Sequence, residues 1–374
     1  MSLAVENQGI VEQSNRGESQ GLLKIAESYL QEYVAPVASE IDNNPEALKE
    51  ALQGMSSRSL LALQVPQVWG GAGVTELTLR QFQQLVPRYS GALAFLQTQH
   101  QSAGRFLANT DNELLKRQYL PYMSQGQVLV GIGFSHLRRQ GKPMVKAIPV
   151  EGGYQIDGTV PWITGCGFFE DFILGAALPD GQAVYVMLPL KNTVQQTGGA
   201  IALSKPMDLG AMSSTNTVTA ELTHWFLPKE LVVFTKPAGA IHENDQKNVL
   251  HHGFHCLGNT RAGLDIIEAV YQTKQLPFIK QAFDAFNEEL QRCQSAMIAA
   301  LAPDSQTWKE RLQLRAWAIN LAQRCATAAV TVSSGAANYR HHAAQRVYRE
   351  ALVFTVSGQT TAVMEATLTQ LMVK

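Results

Sequence analysis

The sequence lacks an excess of either charge. Lys and Arg number 30 and Asp and Glu 31, a formal net charge of −1. That balance removes the electrostatic case for nucleic acid or an acidic membrane surface as a partner. Long apolar runs are missing as well, and none approaches the roughly 18–20 residues of a membrane span. Cysteine is scarce: Cys166, Cys256, Cys293 and Cys325 stand far apart, without a C-x-x-C pair. They read as reduced thiols in a cytosolic protein, not as a disulfide frame. The first 20 residues carry neither the basic segment nor the apolar core of a secretory signal, so the expected compartment is the cytoplasm. Their mixed polar composition reads as a frayed tail. With 45% hydrophobic and 16% charged residues, a disordered chain is excluded.

What is present is enough chain, 374 residues, for two or three domains. From Gly21 to Leu63 apolar residues recur at helical steps, as at Leu22, Ile25, Ala26, Tyr29 and Tyr33. Pro66 and Gly70-Gly71-Ala72-Gly73 break that pattern. The glycines lack the Lys-Ser/Thr of a phosphate-binding loop and read as a turn between helices. A second helical stretch covers about 76–122, interrupted at Ser90-Gly91 and Asn109-Thr110-Asp111, with Thr110 or Asp111 as the expected N-cap of the last piece.

At Gly126 the texture changes. Val128–Phe134, Asp171–Ala177, Ala183–Leu188, Val218–Thr223 and Glu230–Phe234 read as strands, with Asp180-Gly181 as a hairpin signal. Within Gly152–Gly165, Asp157-Gly158 reads as a turn between two short strands. After Pro237 helices return. One of them, over 306–334, carries a stripe of Leu314, Trp317, Leu321, Cys325, Ala328 and Val332 expected to face neighbouring helices. The expected fold is α+β: an N-terminal helical domain (1–125), a middle β domain (126–235) and a C-terminal helical bundle (236–374).

The segment Gly153-Tyr154-Gln155-Ile156-Asp157-Gly158-Thr159-Val160-Pro161-Trp162-Ile163-Thr164 resembles the acyl-CoA dehydrogenase signature GY-x-[ND]-G-x-[KV]-x-WIT. Other segments agree in order. Val65–Gly73 is similar to the family's vPeeyGGlG loop, Lys116–Pro121 to its K.kYLP segment, and Gln345–Ala351 to xRxyRDA. The resemblance spans about 20–372. It implies a helical domain, a β domain and a C-terminal four-helix bundle, assembled as a homodimer or homotetramer. It further implies FAD lying against Ile132, Phe134 and Ser135 of one strand, Trp162, Ile163 and Thr164 of another, and Thr360 near the C-terminus. The implied substrate is a small apolar organic molecule or an acyl-thioester.

Departures from the family pattern are as informative. The segment that reaches the flavin adenosine of a neighbouring subunit is lacking, by about fifteen residues, where Tyr271 passes through Gln272–Pro277 into the next helix. FAD, FMN and no flavin all stay open. Removal of an α-proton needs a base within hydrogen-bond reach of that carbon. Counting back from Thr360, the family's Glu position is Gly358. The alternative location, Asn248–His255, holds no carboxylate. It holds His251, His252 and His255, and a neutral His can act as a base near pH 7. His252 and His255 are the candidate catalytic residues. A metal is not expected, because no third ligand is apparent. Arg346 and Arg349 read as structural partners of carboxylates, and Arg138, Arg139 and Lys142 as a solvated basic loop. Two functions fit: a flavin-dependent oxidoreductase, monooxygenase-like in needing no carboxylate base, or a non-catalytic scaffold for binding.

Overall fold

The computed structural model describes residues 17, 19–302 and 305–372. Of the expected tail, residues 1–16 and 18 lie outside that range, while Ser19 and Gln20 are already helical. Helix α1 (19–29) passes through a π turn at Leu30–Val34 and a 3-10 turn at Ala35–Val37, where Pro36 withholds its N–H. Then come α2 (Ala38–Ile41), α3 (Pro45–Ser56), α4 (Glu76–Tyr89), α5 (Gly91–Ala108) and α6 (Glu113–Met123). The Ser90-Gly91 interruption is a true boundary, since Ser90 Oγ accepts from Leu93 N and caps α5. The expected cap of α6 is corrected. Asn112 accepts from Leu115 N at 3.2 Å, whereas the Thr110 hydroxyl is drawn away to the carbonyl of Val233.

The strands are β1 (Val130–Gly133), β2 (Val145–Val150), β3 (Gly153–Ile163), β4 (Asp171–Ala177), β5 (Ala183–Pro189), β6 (Thr193–Val194), β7 (Ala200–Leu203), β8 (Val218–Pro228) and β9 (Val232–Lys236). They form one sheet ordered β6-β7-β8-β3-β2-β4-β5-β9, with β1 parallel to β4. The Asp180-Gly181 hairpin joins β4 to β5, with Gly181 at φ 86°. Asp157-Gly158 makes no turn. It lies inside β3, opposite a bulge of β8. Asp157 Oδ1 accepts from His224 N at 2.7 Å and stitches that bulge together. Gly158, at φ 131°, is required because a Cβ there would stand 2.0 Å from the carbonyl of Met144.

The C-terminal region comprises α7 (Ala240–Lys247), α8 (Gly253–Lys274), α9 (Pro277–Ala299), α10 (Trp308–Ser333), α11 (Ala343–Val356) and α12 (Thr361–Met372). Helix α8 packs against α9, α10 and α11 within this region, and against α4 of the N-terminal helices. Between α8 and α9 the chain turns on Gln275 alone in the left-handed conformation before Pro277. The buried line of α10 is rotated from the expected stripe. Leu321 and Cys325 lie in it, but so do Leu312, Ala316, Ile319 and, unexpectedly, Arg315. No described helix is long and apolar enough to cross a membrane.

Carboxylate–arginine pairs lock these layers together. The fully buried Asp42 accepts from Met212 N at 2.7 Å and from Arg349 Nη1 at 2.5 Å. One side chain thus joins the N-terminal helices, a loop of the β region and α11. Arg346 Nη1 donates to both oxygens of the buried Glu350, at 2.9 and 3.0 Å, and Gly91 N donates to Oε1 at 2.9 Å. The structural reading of both arginines agrees with these contacts.

Candidate functional site

The strand wall is shaped by a second bulge. Val160 pairs with Ala220 and Ile163 with Val218, so Pro161 and Trp162 together oppose the single residue Thr219. Pro161 has no N–H for the ladder, and a bulge is where a strand tolerates that. The bulge turns Trp162 outward, leaving it 47% exposed between two fully buried neighbours, Val160 and Ile163. Thr164 follows, buried, with its hydroxyl 3.1 Å from that of Thr217. On the other strand, Ile132 packs in the apolar cluster between α5, α6 and β1. Phe134 stacks on Phe106 at 5.4 Å and meets Tyr185 at 5.6 Å between centroids, so its ring is committed to that interface. Ser135 is exposed and opens a 3-10 turn ending at Arg138. Arg138 is not solvated as expected. It grips Asp245 of α7 through Nε at 2.7 Å and Nη2 at 2.8 Å, tying the end of β1 to the helical wall.

That helical wall is made by the start of α8 and the break between α11 and α12. The α11 helix ends at Val356, Ser357 is its extended C-cap, and Gly358 follows at φ 58°. Ser357 Oγ lies 2.9 Å from Nδ1 of His252. A Cβ on Gly358 would stand 2.5 Å from His252 Cδ2 and Nε2. The imidazole therefore fills the space into which a side chain at 358 would project. Thr360, partly buried, accepts from Val363 N at 3.3 Å at the start of α12. The His255 ring lies 5.9 Å from that of His252, stacks on Phe354, and has Nε2 3.4 Å from Thr98 Oγ1. Its Nδ1 is buried without a partner among the described residues.

Burial governs the charge state of these rings. It pushes His255 down to about 3 and His251 down to about 4, and it holds His252 well below the usual range, helped by the Arg315 charge. All three are neutral at pH 7. His251 Nε2 lies 3.0 Å from Glu76 Oε1, and Arg80 Nε donates to the same carboxylate at 2.7 Å. Burial raises Glu76, but the hydrogen bonds from His251 and Arg80 outweigh it and keep the carboxylate ionised. The His251 contact is then a neutral N–H donating to a carboxylate.

The structure brings His252, Ser357, Gly358, Arg315 and the Arg138–Asp245 pair into one neighbourhood. Ile132 and Phe134 serve the apolar interface instead. Sequence reasoning missed Arg315 and Ser357. The available signal for Arg315 was a lone Arg on the helical line Leu312, Ala316, Ile319. A groove of about 520 Å³ opens elsewhere, between α1, α4, α8 and α9, and contains none of these residues.

Comparison with known proteins follows the same lines. Residues 17–127 match the family model described as acyl-CoA dehydrogenase, N-terminal domain. The chain is 27% identical over 208 residues to the mitochondrial isovaleryl-CoA dehydrogenase of Pongo abelii, a match covering 54% of this chain and 49% of that one. It thus spans about half the length of that relative. It is 20% identical to a 3-(aryl)acrylate reductase of Clostridium sporogenes, over 94% of this chain and 97% of the other. Among solved structures, the fold matches that of an electron transferring flavoprotein study of Acidaminococcus fermentans at a TM-score of 0.78, with 14% identity and 96% and 98% of the two chains covered. A glutaryl-coenzyme A dehydrogenase in complex with glutaryl-CoA matches at 0.77, with 18% identity and 96% of each chain.

Proposed function

We propose that the chain is a flavin-dependent oxidoreductase of the acyl-CoA dehydrogenase superfamily in which His252 moves the proton that a carboxylate moves in the family pattern. One observation carries this reading: the His252 ring occupies the space a side chain at position 358 would enter. The loss of the carboxylate and the presence of the imidazole are then one change. A group able to take or give a proton at that place favours oxidation or reduction of a carbon–carbon bond beside a carbonyl. It disfavours the monooxygenase-like reading, which needs no such group. The name of the acrylate reductase, similar over nearly the whole chain, supports the reductive direction.

The strand wall fits a flat ring in two respects. Trp162 offers an uncovered indole face, and Ser135 an exposed hydroxyl. Thr164 stands behind Trp162 and Thr360 opens α12, so these four residues would hold a flavin, FAD or FMN. A bound flavin would supply the two-electron chemistry. The chain's own part is proton handling. With the His252 Nδ1–H donating to Ser357 Oγ, Nε2 keeps its lone pair, makes no hydrogen bond among the described residues, and points at the space beside Gly358. In oxidation Nε2 takes the α-proton, and in reduction it returns it. Burial of the ring keeps it neutral, with Nε2 unprotonated, at pH 7.

The test is reconstitution with FAD and with FMN, followed by anaerobic turnover of an α,β-unsaturated acid or acyl-thioester. His252→Ala should retain flavin binding and lose about 10²–10⁴ in turnover. Wild-type turnover in that variant would remove His252 from the chemistry. Failure to bind either flavin would end the oxidoreductase reading and leave the scaffold.

A further inference from the structure

Arg315 is the feature that this reading does not use. It lies on α10 at 1% exposure, among the largest fully buried side chains of the described chain. Its Nη1 donates to the carbonyl of Val249 at 3.0 Å and its Nη2 to the carbonyl of Ser357 at 2.5 Å. Its Nε is buried without an acceptor among the described residues. No carboxylate of the described residues pairs with it. Asp245, whose charge acts on it, is held by Arg138 through both carboxylate oxygens. Burial lowers Arg315 to about 10, so it remains a cation at pH 7.

A buried charge is expensive unless it is paired. Other strongly buried arginines here obey that rule: Arg80 has Glu76 and Arg346 has Glu350. Arg315 is held instead by two backbone carbonyls, and these belong to the segments that frame His252. Ser357 touches the ring, and Val249 opens the turn leading into α8. The guanidinium is thus fixed beside the reaction centre with hydrogen-bonding capacity to spare. A guanidinium is the planar donor suited to a carboxylate.

We propose that the His252 centre takes an organic acid, whose ionised carboxylate is bound by Arg315, in preference to an uncharged thioester end. This rests on the reading of that centre as the substrate site. A carboxylate there completes the shell of the buried cation. It also offsets the positive charge that disfavours protonation of His252, so substrate binding prepares the ring to hold a proton.

The experiment needs no turnover. The purified full-length protein is titrated calorimetrically with crotonate and with hydrocinnamate, each against its isosteric amide, with FAD and FMN binding measured in parallel. At least one acid is expected to bind saturably and about tenfold or more tighter than its amide. Arg315→Lys should keep part of that preference, and Arg315→Met should abolish it. Thermal melts of both variants confirm folding. The acid–amide comparison on the unaltered protein stands whether or not the variants fold. If neither acid binds better than its amide while a flavin does bind, the carboxylate assignment is overturned and the oxidoreductase reading survives. If an acid binds but neither flavin does, the assignment stands and the redox reading falls.

Discussion

Two buried arginine sites in this molecule have opposite character. At Arg346 and Arg349 each guanidinium meets a fully buried carboxylate, and those carboxylates accept backbone N–H groups from other parts of the chain. At Arg315 the cation meets only carbonyls. The first arrangement joins three regions of the chain and neutralises each cation, although Arg346 Nε and Arg349 Nη2, like Arg315 Nε, lack a partner among the described residues. The second borders His252, whose Nε2 makes no hydrogen bond among the described residues and lies where a Cβ on Gly358 would project. Paired charges hold the architecture, and the cation without a counter-charge is the one we assign to a ligand.

The contrast is open to attack from several sides. Glu350→Ala should cause the largest loss, about 3–5 kcal/mol in urea unfolding, because it strands Arg346 in the core. Arg315→Met strands no opposite charge and should cost less, about 1–3 kcal/mol for two carbonyls without donors. Equal losses would erase the distinction.

Acid should act next. His251 falls from its ordinary 6.5 to about 4 in the folded protein, chiefly through burial, against the pull of Glu76 and with the opposition of Arg80 and Arg105. Between those two values the unfolded chain takes up a proton that the folded ring refuses. Its contribution is therefore complete above pH 6.5 and is lost as the pH falls toward 4, about 3 kcal/mol in all. Unfolding at a series of pH values should show that decline together with those of His100, His136, His252 and His255, and His251→Gln should make the overall slope shallower. An unchanged slope in the variant would put the titration elsewhere.

Gly358→Glu is predicted to cost about 1–3 kcal/mol, since it forces a side chain onto a residue at φ 58° and against His252. Combining it with His252→Ala should recover part of the loss in a double-mutant cycle. Purely additive losses would mean that the ring and the glycine are independent. The smallest effect belongs to Thr307→Ala, which removes the capping box of α10 about two turns before Arg315. About 1 kcal/mol of stability should disappear, with the acid-over-amide preference unchanged.

Much of the architecture was legible in sequence because it rests on local rules. Ser90-Gly91 marked the break between α4 and α5, and Asp180-Gly181 marked a hairpin, through turn and cap chemistry confined to a few residues. Where two distant strands decide the outcome, local rules failed. Asp157-Gly158 has turn composition, yet the β8 partner pulls it into a continuous strand. The site divides in the same way. Motif position singled out Trp162 and His252 as candidates, but nothing local shows that Pro161 would bulge the strand and expose that indole. Nor could the chain alone show that Arg315, about sixty residues beyond His252 in sequence, would brace it from behind. Phe134, in a flavin-contacting position by resemblance, is committed to Phe106 because α5 packs on that strand.

The central claim is that the two walls, one bearing Trp162 and the other His252, enclose a redox centre. Titration of the purified chain with FAD and with FMN, followed by flavin absorbance and fluorescence, tests it most directly. The account predicts saturable binding of at least one of them, weakened by Trp162→Ala and retained in His252→Ala. Titrations in which neither flavin shows any saturable change would contradict it.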